Sequence, residues 1–218
     1  MTTGMEKTNS DHFAGKAAGW DAVAARVAMA DAVAAAMIRT VPLTPAMQVM
    51  DFGAGTGLVT LQLAPLVRTV TAVDISRAML AELARKLTEQ CVTNVSLQAA
   101  APDGLPAADG AYDAVVSSMA LHHVRELAPL LQRLRAVLRP GGRLVVADLD
   151  TEDGTFHHDP AGVFHCGFDR QEFGQLLEQA GFTAVAMHDA YHMQRTGADG
   201  VQRDYTLFLA IARAGATT

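Results

Sequence analysis

Apolar and polar positions alternate in blocks along most of the chain. Short apolar runs that are typical of buried strands occur in MQVMDF, VTAVDI, VSLQAA, YDAVVSSMA and GRLVVADL. Segments in which apolar residues recur at helical spacing separate these runs. Because strands that alternate with helices form parallel sheets covered on both faces, this order predicts an α/β fold with a doubly wound sheet.

Three helices are predicted from the sequence, of which the second and third are well specified. The Ala-rich residues 20–39 are predicted as one helix that ends at VPLTP, and residues 127–138 as a second that RPGG closes. In DRQEFGQLLEQAGF, Asp169 is expected to cap a third helix and Gly181 to stop it. We interpret the second and third helices as core scaffolding, outside any functional site.

The C-terminal part lacks a helical segment. Two strand patterns, TAVAMH and DYTLFLAIA, are separated only by a polar loop that contains Gly197 and Gly200. Strands joined in this way pair in antiparallel fashion. We therefore expect a sheet that is parallel except at one edge.

Composition limits the class of protein. With 218 residues, of which 50% are hydrophobic, the chain is long enough for one domain with a substantial core. It has no apolar run long enough to span a membrane, its start MTTGMEKTNS is unlike a signal peptide, and its two cysteines lack CxxC spacing, so we expect a cytoplasmic protein. The net charge of −6 disfavours a nucleic-acid partner. The oligomeric state is left open.

A glycine-rich loop follows the first strand of this alternation. In VMDFGAGTGLVTLQLA, Gly53, Gly55 and Gly57 stand between a strand and a helix, where doubly wound sheets bind ligands. A dinucleotide-binding GxGxxG motif would need glycine in place of Leu58, and a phosphate-binding P-loop would need a lysine. The loop therefore indicates either a ligand that approaches bare backbone without a pyrophosphate, or merely a tight turn.

Asp74 ends the next strand, in VTAVDIS. A carboxylate at this place can accept hydrogen bonds from both hydroxyls of a ribose, or it can cap the helix that starts near Ser76. Ile75 beside it can pack on a purine ring or be a half-buried residue at the strand end.

With VMDFGAGTG, VTAVDIS, YDAVVSSMALHHV and LRPGGRLVVADL in this order, the chain resembles the class I S-adenosylmethionine-dependent methyltransferases. The likeness is strongest to small-molecule enzymes such as those of ubiquinone and menaquinone biosynthesis. It implies a Rossmann-like seven-stranded sheet, mostly parallel with an antiparallel C-terminal strand, in residues 41–218, and an N-terminal helical cap in residues 1–40. It also implies S-adenosyl-L-methionine as cofactor, S-adenosyl-L-homocysteine as product and a small-molecule methyl acceptor.

The resemblance further implies which residues hold the cofactor. The glycine loop would contact the methionine part of the cofactor, and the end of the fourth strand would lie near the sulfonium. Asp74 would bind the ribose, and Ile75 would pack on the adenine. The residues of the loop and of the strand end are Asp51, Gly53, Ala54, Gly55, Gly57, Ser117, Ser118 and Met119. Many relatives carry an aspartate for adenine where this chain has alanines. The backbone groups of Ala100 and Ala101, or the side chain of Asp103, are the alternatives.

The acceptor side is less patterned. His122 and His123 follow the fourth strand and are predicted either as a general base or as part of the pocket wall. Phe13 and Trp20 would cover the sulfonium or close an apolar edge.

The long connection over residues 151–168 suggests a binding loop in which His157 and His165 contact substrate, or else only local packing. The spacing of its histidines and Cys166 matches no zinc pattern, so no metal site is predicted.

Two other functions remain open from the sequence. One is an NAD(P)-dependent oxidoreductase on a Rossmann sheet, which Leu58 disfavours. The other is a non-catalytic S-adenosylmethionine-binding protein that serves within a complex.

Overall fold

A computed structural model of the chain describes residues 13–100, 105 and 107–215. Its seven strands form one sheet in the order β3-β2-β1-β4-β5-β7-β6. Strand β7 runs antiparallel to β5 and β6, and the remaining neighbours pair in parallel, as the sequence predicts. The strands are β1 Gln48–Phe52, β2 Thr69–Asp74, β3 Val95–Ala99, β4 Tyr112–Ser118, β5 Leu138–Leu149, β6 Phe182–Thr196 and β7 Gln202–Ala214.

Helices cover both faces of the sheet. They are α1 Ala24–Thr40, α2 Thr60–Leu63, α3 Arg77–Glu89, α4 Leu127–Val137 and α5 Arg170–Gln179, with short 3₁₀ turns at Ala17–Ala22, Ala64–Leu66 and Leu121–His123. Because successive strand residues point to opposite faces, Val49 packs with α1 and α2 while Met50 packs with α4 and α5. The result is a three-layer α/β/α fold.

The N-terminal helix differs from its prediction. Residues 20–39 do not form one helix, because Val23 has extended backbone angles (φ −88°, ψ 99°) between the 3₁₀ turn and α1. Helix α1 buries Val33 and Met37 in the same cluster as Leu207 and Leu209 of β7. The helix is therefore part of the core of the sheet.

The segment RPGG does not form a separate turn. Strand β5 begins directly after α4, at Leu138, which pairs with Tyr112, while Arg143 is the next residue in register, opposite Ala114. The four intervening residues form a bulge in which Gly141 has a φ of +76°. The sequence pattern correctly predicted where the helix ends, but it did not show that β5 starts before the bulge.

The prediction for α5 is confirmed. The side chain of Asp169 accepts hydrogen bonds from the backbone N–H groups of Gln171 (2.9 Å) and Glu172 (3.0 Å). Gly181 follows the helix with a φ of +88°.

The strand order reverses between β1 and β4. The chain leaves β1 towards β2 on one side and passes to β4 on the other, which opens a crevice at the carboxyl ends of these strands. Within the described residues, none of the helices has both the length and the apolar composition needed to cross a membrane.

Candidate functional site

A cleft of about 780 Å³ lies at this crevice. Its wall runs from the glycine loop and the end of β2 to the N-terminal turn and the start of α4. The sequence-predicted residues that line it are Phe13, Trp20, Asp51, Gly53, Ala54, Gly55, Asp74, Ile75, Ala100, Ser118, Met119 and His123.

The three glycines of the loop are required for three different reasons. A Cβ on Gly53 (φ +75°) would lie 2.3 Å from the Cβ of Ala120, and one on Gly57 (φ +82°) 2.2 Å from a methyl group of Leu83. A Cβ on Gly55 (φ +55°) would meet no atom within 4 Å, and Gly55 lines the cleft. Gly57 is absent from the wall of the cleft among described residues, so its observed role is to let α3 pack against the loop.

The carboxylate of Asp74 is held by backbone N–H groups. Oδ2 accepts a hydrogen bond from Gly55 at 2.7 Å, and Oδ1 accepts one from Ser76 at 2.8 Å. Burial raises the pKa of Asp74, and the two hydrogen bonds act in the opposite direction. The cap of α3 is Ser76, whose hydroxyl accepts from Met79, so Asp74 is not used as the helix cap.

A second carboxylate lies beside it. Asp51 is 1% exposed, and its Oδ2 accepts a 2.5 Å hydrogen bond from the hydroxyl of Thr60. Burial raises the pKa of Asp51 to about 6; the hydrogen bonds from Thr60 lower it, and the charge of Asp74 raises it. This end of the cleft is thus acidic and suits cationic or hydroxyl-bearing ligands better than a pyrophosphate.

The cleft continues past Asp74 along an apolar wall. Ile75, Met79 and Leu105 line this part. The N–H of Ala100 donates to the carbonyl of Asp74 at 2.9 Å, so this N–H is not available to an adenine ring. Ala101 and Asp103, the other residues suggested for adenine, lie outside the described residues.

The N-terminal turn is joined to the glycine loop through one residue. The carboxylate of Asp21 accepts a 2.6 Å hydrogen bond from the hydroxyl of Thr56. It also forms an ion pair with the buried Lys86 of α3, whose Nζ lies at 2.7 Å. The guanidinium of Arg26 lies 4.2 Å over the ring of Trp20. These contacts hold the turn against the cleft, and no sequence motif indicated them.

Unusual backbone geometry marks the end of β4. Met119 has a φ of +53°, a conformation that non-glycine residues rarely adopt, and its N–H donates to the carbonyl of Ala147 at 2.9 Å. Such strain is concentrated at functional sites. Ser118 and Met119 line the cleft, whereas the neighbouring Ser117 is buried outside the described wall.

The two histidines after β4 face different surroundings. His123 lines the cleft, and its Nδ1–H donates to the carbonyl of Gly162 at 2.8 Å. His122 is 1% exposed, and its Nδ1–H donates to Oδ1 of Asp148 at 2.6 Å. Although burial by itself raises the pKa of Asp148, the neighbouring His122 and the N–H of Leu149 hold it below its usual range.

The histidines of the connection 151–168 do not reach the wall of the cleft as the structure describes it. Nε2–H of His165 donates to the carbonyl of Val124 at 2.9 Å, and the ring of His157 packs 4.9 Å from that of His122, centroid to centroid. Burial is the main cause that lowers the pKa of His157 to about 3, and electrostatic repulsion by the nearby His122 and His123 lowers it further. Substrate contact by His157 and His165 stays a prediction.

Helix α4 is more than scaffolding, which corrects our interpretation from the sequence. Pro129, Leu130 and Arg133 of this helix line the cleft, as do Arg26 and Met29 of α1. No spacing in the sequence singled out these positions, which are not among the buried residues of α4.

Comparisons with known proteins agree with this geometry. Residues 49–142 match the family model described as a methyltransferase domain. An uncharacterised methyltransferase of Synechocystis is 30% identical over 161 residues, which cover 69% of this chain and 74% of the relative. An uncharacterised methyltransferase of Schizosaccharomyces pombe is 34% identical over 149 residues, 62% of this chain, and the match spans only 52% of that relative.

A demethylmenaquinone methyltransferase of Mycolicibacterium gilvum is 36% identical over 109 residues, 50% of this chain and 45% of the relative. Among solved structures, the YcgJ protein of Bacillus subtilis has a TM-score of 0.71 at 18% identity, over 85% of this chain and 99% of that one. A phosphoethanolamine N-methyltransferase of Haemonchus contortus in complex with S-adenosyl-L-methionine has a TM-score of 0.70 at 15% identity, over 85% and 53%. At such identities the structures show the shared fold.

The chain belongs to the class I S-adenosylmethionine-dependent methyltransferases. This confirms the family, the fold class and the cofactor that the sequence motifs implied. The roles of individual residues and the acceptor are matters for proposal.

Proposed function

We propose that the protein transfers a methyl group from S-adenosyl-L-methionine to a small-molecule acceptor. The observation that carries this proposal is a single cleft that joins an acidic glycine loop to an apolar wall. Its volume of about 780 Å³ lies in the range typical of small-molecule and cofactor sites. The net charge of −6 also favours a small acceptor over a polyanion.

The residues present fit the cofactor. Gly55 leaves open space beside the cleft where any side chain would project, and Asp74 offers a carboxylate that two N–H groups already orient. We propose that Asp74 binds the ribose hydroxyls and that Asp51 favours the cationic methionyl end. When bound, S-adenosyl-L-methionine supplies an electrophilic methyl group on a sulfonium centre.

We propose that Ile75 and Met79 pack on the adenine and that the end of β4 borders the sulfonium. A methyl transfer needs mainly alignment of the two reactants and exclusion of water. Phe13 and Trp20 lie on the wall of the cleft and would exclude water there. The N-terminal turn that carries Trp20 acts, in this proposal, as a cap.

Of the two histidines after β4, we propose that His123 contacts the acceptor. His123 lines the cleft, whereas His122 is buried against Asp148. The remaining acceptor wall, with Val124 and Leu130, is apolar, and Arg133 borders it. An acceptor with a largely apolar body fits this surface best.

Two measurements test the proposal. Calorimetric titration with S-adenosyl-L-homocysteine, S-adenosyl-L-methionine and NADPH should give saturable binding of the first two compounds. Incubation with methyl-labelled S-adenosyl-L-methionine and cell extract should then place the label in the low-molecular-weight fraction.

Three outcomes would contradict it. Binding of NADPH without either S-adenosyl compound would indicate an oxidoreductase. Label in protein or nucleic acid would refute the small-molecule acceptor. Tight product binding with no transfer to any fraction, together with reproducible co-purification of another protein, would indicate a non-catalytic partner.

A further inference from the structure

Three histidines from two separate segments meet beside the cleft. His122 and His123 belong to the 3₁₀ turn after β4, and His157 comes from the connection over residues 151–168. Their ring centroids lie 4.1 Å (His122–His123), 4.9 Å (His122–His157) and 5.5 Å (His123–His157) apart. One ring nitrogen from each lies within 4.8 Å of those of the other two.

Hydrogen bonds orient two of the rings for ligation. Because Nδ1–H of His122 donates to Asp148 and Nδ1–H of His123 donates to the carbonyl of Gly162, Nε2 is the nitrogen of each ring that would bind a metal ion. A histidine that donates its other N–H to a carboxylate or a backbone carbonyl is the usual arrangement around protein-bound metal ions.

A second observation points to a ligand. Nε2 of His122 and Nε2 of His157 are both buried from solvent and have no hydrogen-bond partner among the residues that the structure describes. His122 is 1% exposed, so water does not satisfy this nitrogen from the surface. Buried nitrogens without a partner are costly, and two of them side by side call for a shared partner.

We propose that His122, His123 and His157 bind one divalent transition-metal ion, for which Zn²⁺ is the probe. Three imidazoles suit Zn²⁺ and its neighbours in the first row rather than Mg²⁺ or Ca²⁺. Zn–N bonds of about 2.0–2.1 Å in a tetrahedral site put the ligand nitrogens about 3.3 Å apart, so rings that each have a nitrogen within 4.8 Å of the other two need to move closer when an ion binds. His157 lies in a connection without helix or strand, which allows such a shift.

The position of the site would place the ion next to the acceptor half of the cleft. His123 forms part of the wall of the cleft, so an ion on its Nε2 lies at the acceptor half. Three protein ligands leave one tetrahedral position for water or for an oxygen, nitrogen or sulfur atom of a small molecule. This inference goes beyond the proposed methyl transfer, since metal binding does not depend on the identity of the acceptor.

The proposal departs from the sequence expectation that no metal is bound. The spacing within residues 151–168 matches no zinc pattern because only one ligand comes from that segment. The fold supplies the other two from the 3₁₀ turn after β4.

The test uses the full chain without an affinity tag, stripped of metal with a chelator. Calorimetry with Zn²⁺ and visible absorption with Co²⁺ should show one ion per chain and a tetrahedral Co²⁺ spectrum. His157→Ala should weaken binding at least about tenfold. The matched control is His158→Ala, because His158 is the exposed next residue of the same segment.

His123→Ala serves as a second ligand variant, and the thermal unfolding midpoint of each variant verifies that it folds. The proposal would be overturned if neither Zn²⁺ nor Co²⁺ bound saturably to the unaltered chain. Equal losses in His157→Ala and His158→Ala would also overturn it, since the ion would then be held by surface histidines. Binding that survives both His157→Ala and His123→Ala would do the same.

Discussion

The backbone N–H of Gly55 donates a 2.7 Å hydrogen bond to Oδ2 of Asp74, which joins the glycine loop after β1 to the carboxylate at the end of β2. Ser76 holds the other oxygen of the same carboxylate. Each oxygen therefore keeps one lone pair for a further donor, and Asp74 lines the cleft. The glycine loop and the carboxylate thus form one hydrogen-bonded cradle.

Replacing Asp74 by asparagine tests this cradle. An amide has one acceptor oxygen and a donating NH₂ group, so Asp74→Asn should lose one charge-assisted hydrogen bond to the ribose. We expect the dissociation constant for S-adenosyl-L-homocysteine to rise about 10- to 100-fold, measured by calorimetry. The same substitution at Asp204, which is exposed on β7, should leave this affinity unchanged. Equal affinities of the two variants would refute the role of Asp74.

Alanine substitutions at Gly55 and Gly57 should separate binding from stability. Gly57→Ala puts a methyl group against Leu83 at a φ of +82° and should cost about 2 kcal/mol or more in the free energy of unfolding. Gly55→Ala clashes with nothing and should cost only about 1 kcal/mol for its backbone strain, yet should weaken cofactor binding more than tenfold. Urea unfolding and calorimetry of both variants provide the comparison. A larger stability loss in Gly55→Ala than in Gly57→Ala would contradict this assignment.

Asp51 makes stability depend on pH. In the unfolded chain its carboxyl ionises near pH 3.8, whereas in the folded protein burial raises the pKa to about 6. The native state therefore loses stability as the pH rises from about 4 to about 6 and stays less stable above that range, by about 2–3 kcal/mol. Asp51→Asn removes this effect, so the variant should match the unaltered protein near pH 4 and exceed it at pH 7.

Urea unfolding without ligand at several pH values measures that difference. A difference that stays constant across the range would show that ionisation of Asp51 is not its cause. The same variant should bind S-adenosyl-L-methionine more weakly, because it lacks the negative charge that favours a cation.

Asp21 should control access to the N-terminal turn. Asp21→Ala removes the contacts with Thr56 and Lys86, and it leaves the ammonium of the buried Lys86 without this carboxylate, which destabilises the attachment of the turn. We expect trypsin to cleave after Lys16 and Arg26 several times faster in this variant. Asp31→Ala is the control. The side chain of Asp31 accepts an exposed hydrogen bond from Gln62 of α2, which is not part of the N-terminal turn. Similar cleavage rates in the two variants would argue against the tether.

Most of the fold follows from local patterns. The alternation of strands and helices, the cap at Asp169 and the antiparallel β6–β7 pair are each encoded within one short segment. The break at Val23 escaped prediction because alanine-rich residues on both sides share one helical pattern. The early start of β5 escaped it because a bulge interrupts the pairing with β4.

The site divides in the same way. The glycine loop and Asp74 were recognisable because ligands bind at the ends of neighbouring parallel strands, and each residue ends a strand or follows one. The link between Asp21 and Lys86 and the meeting of His157 with His122 join residues far apart in the chain. No periodicity or spacing records such contacts, since they arise only from tertiary packing.

Thr56 links the two halves of the cleft. This residue lines the cleft within the glycine loop and at the same time donates its hydroxyl to Asp21, next to Trp20. A ligand that displaces the loop therefore also displaces the aromatic wall over the other half of the cleft. Occupancy of one half should change affinity in the other, and by thermodynamic reciprocity bound acceptor should change the affinity for the cofactor by the same factor as bound cofactor changes the affinity for the acceptor.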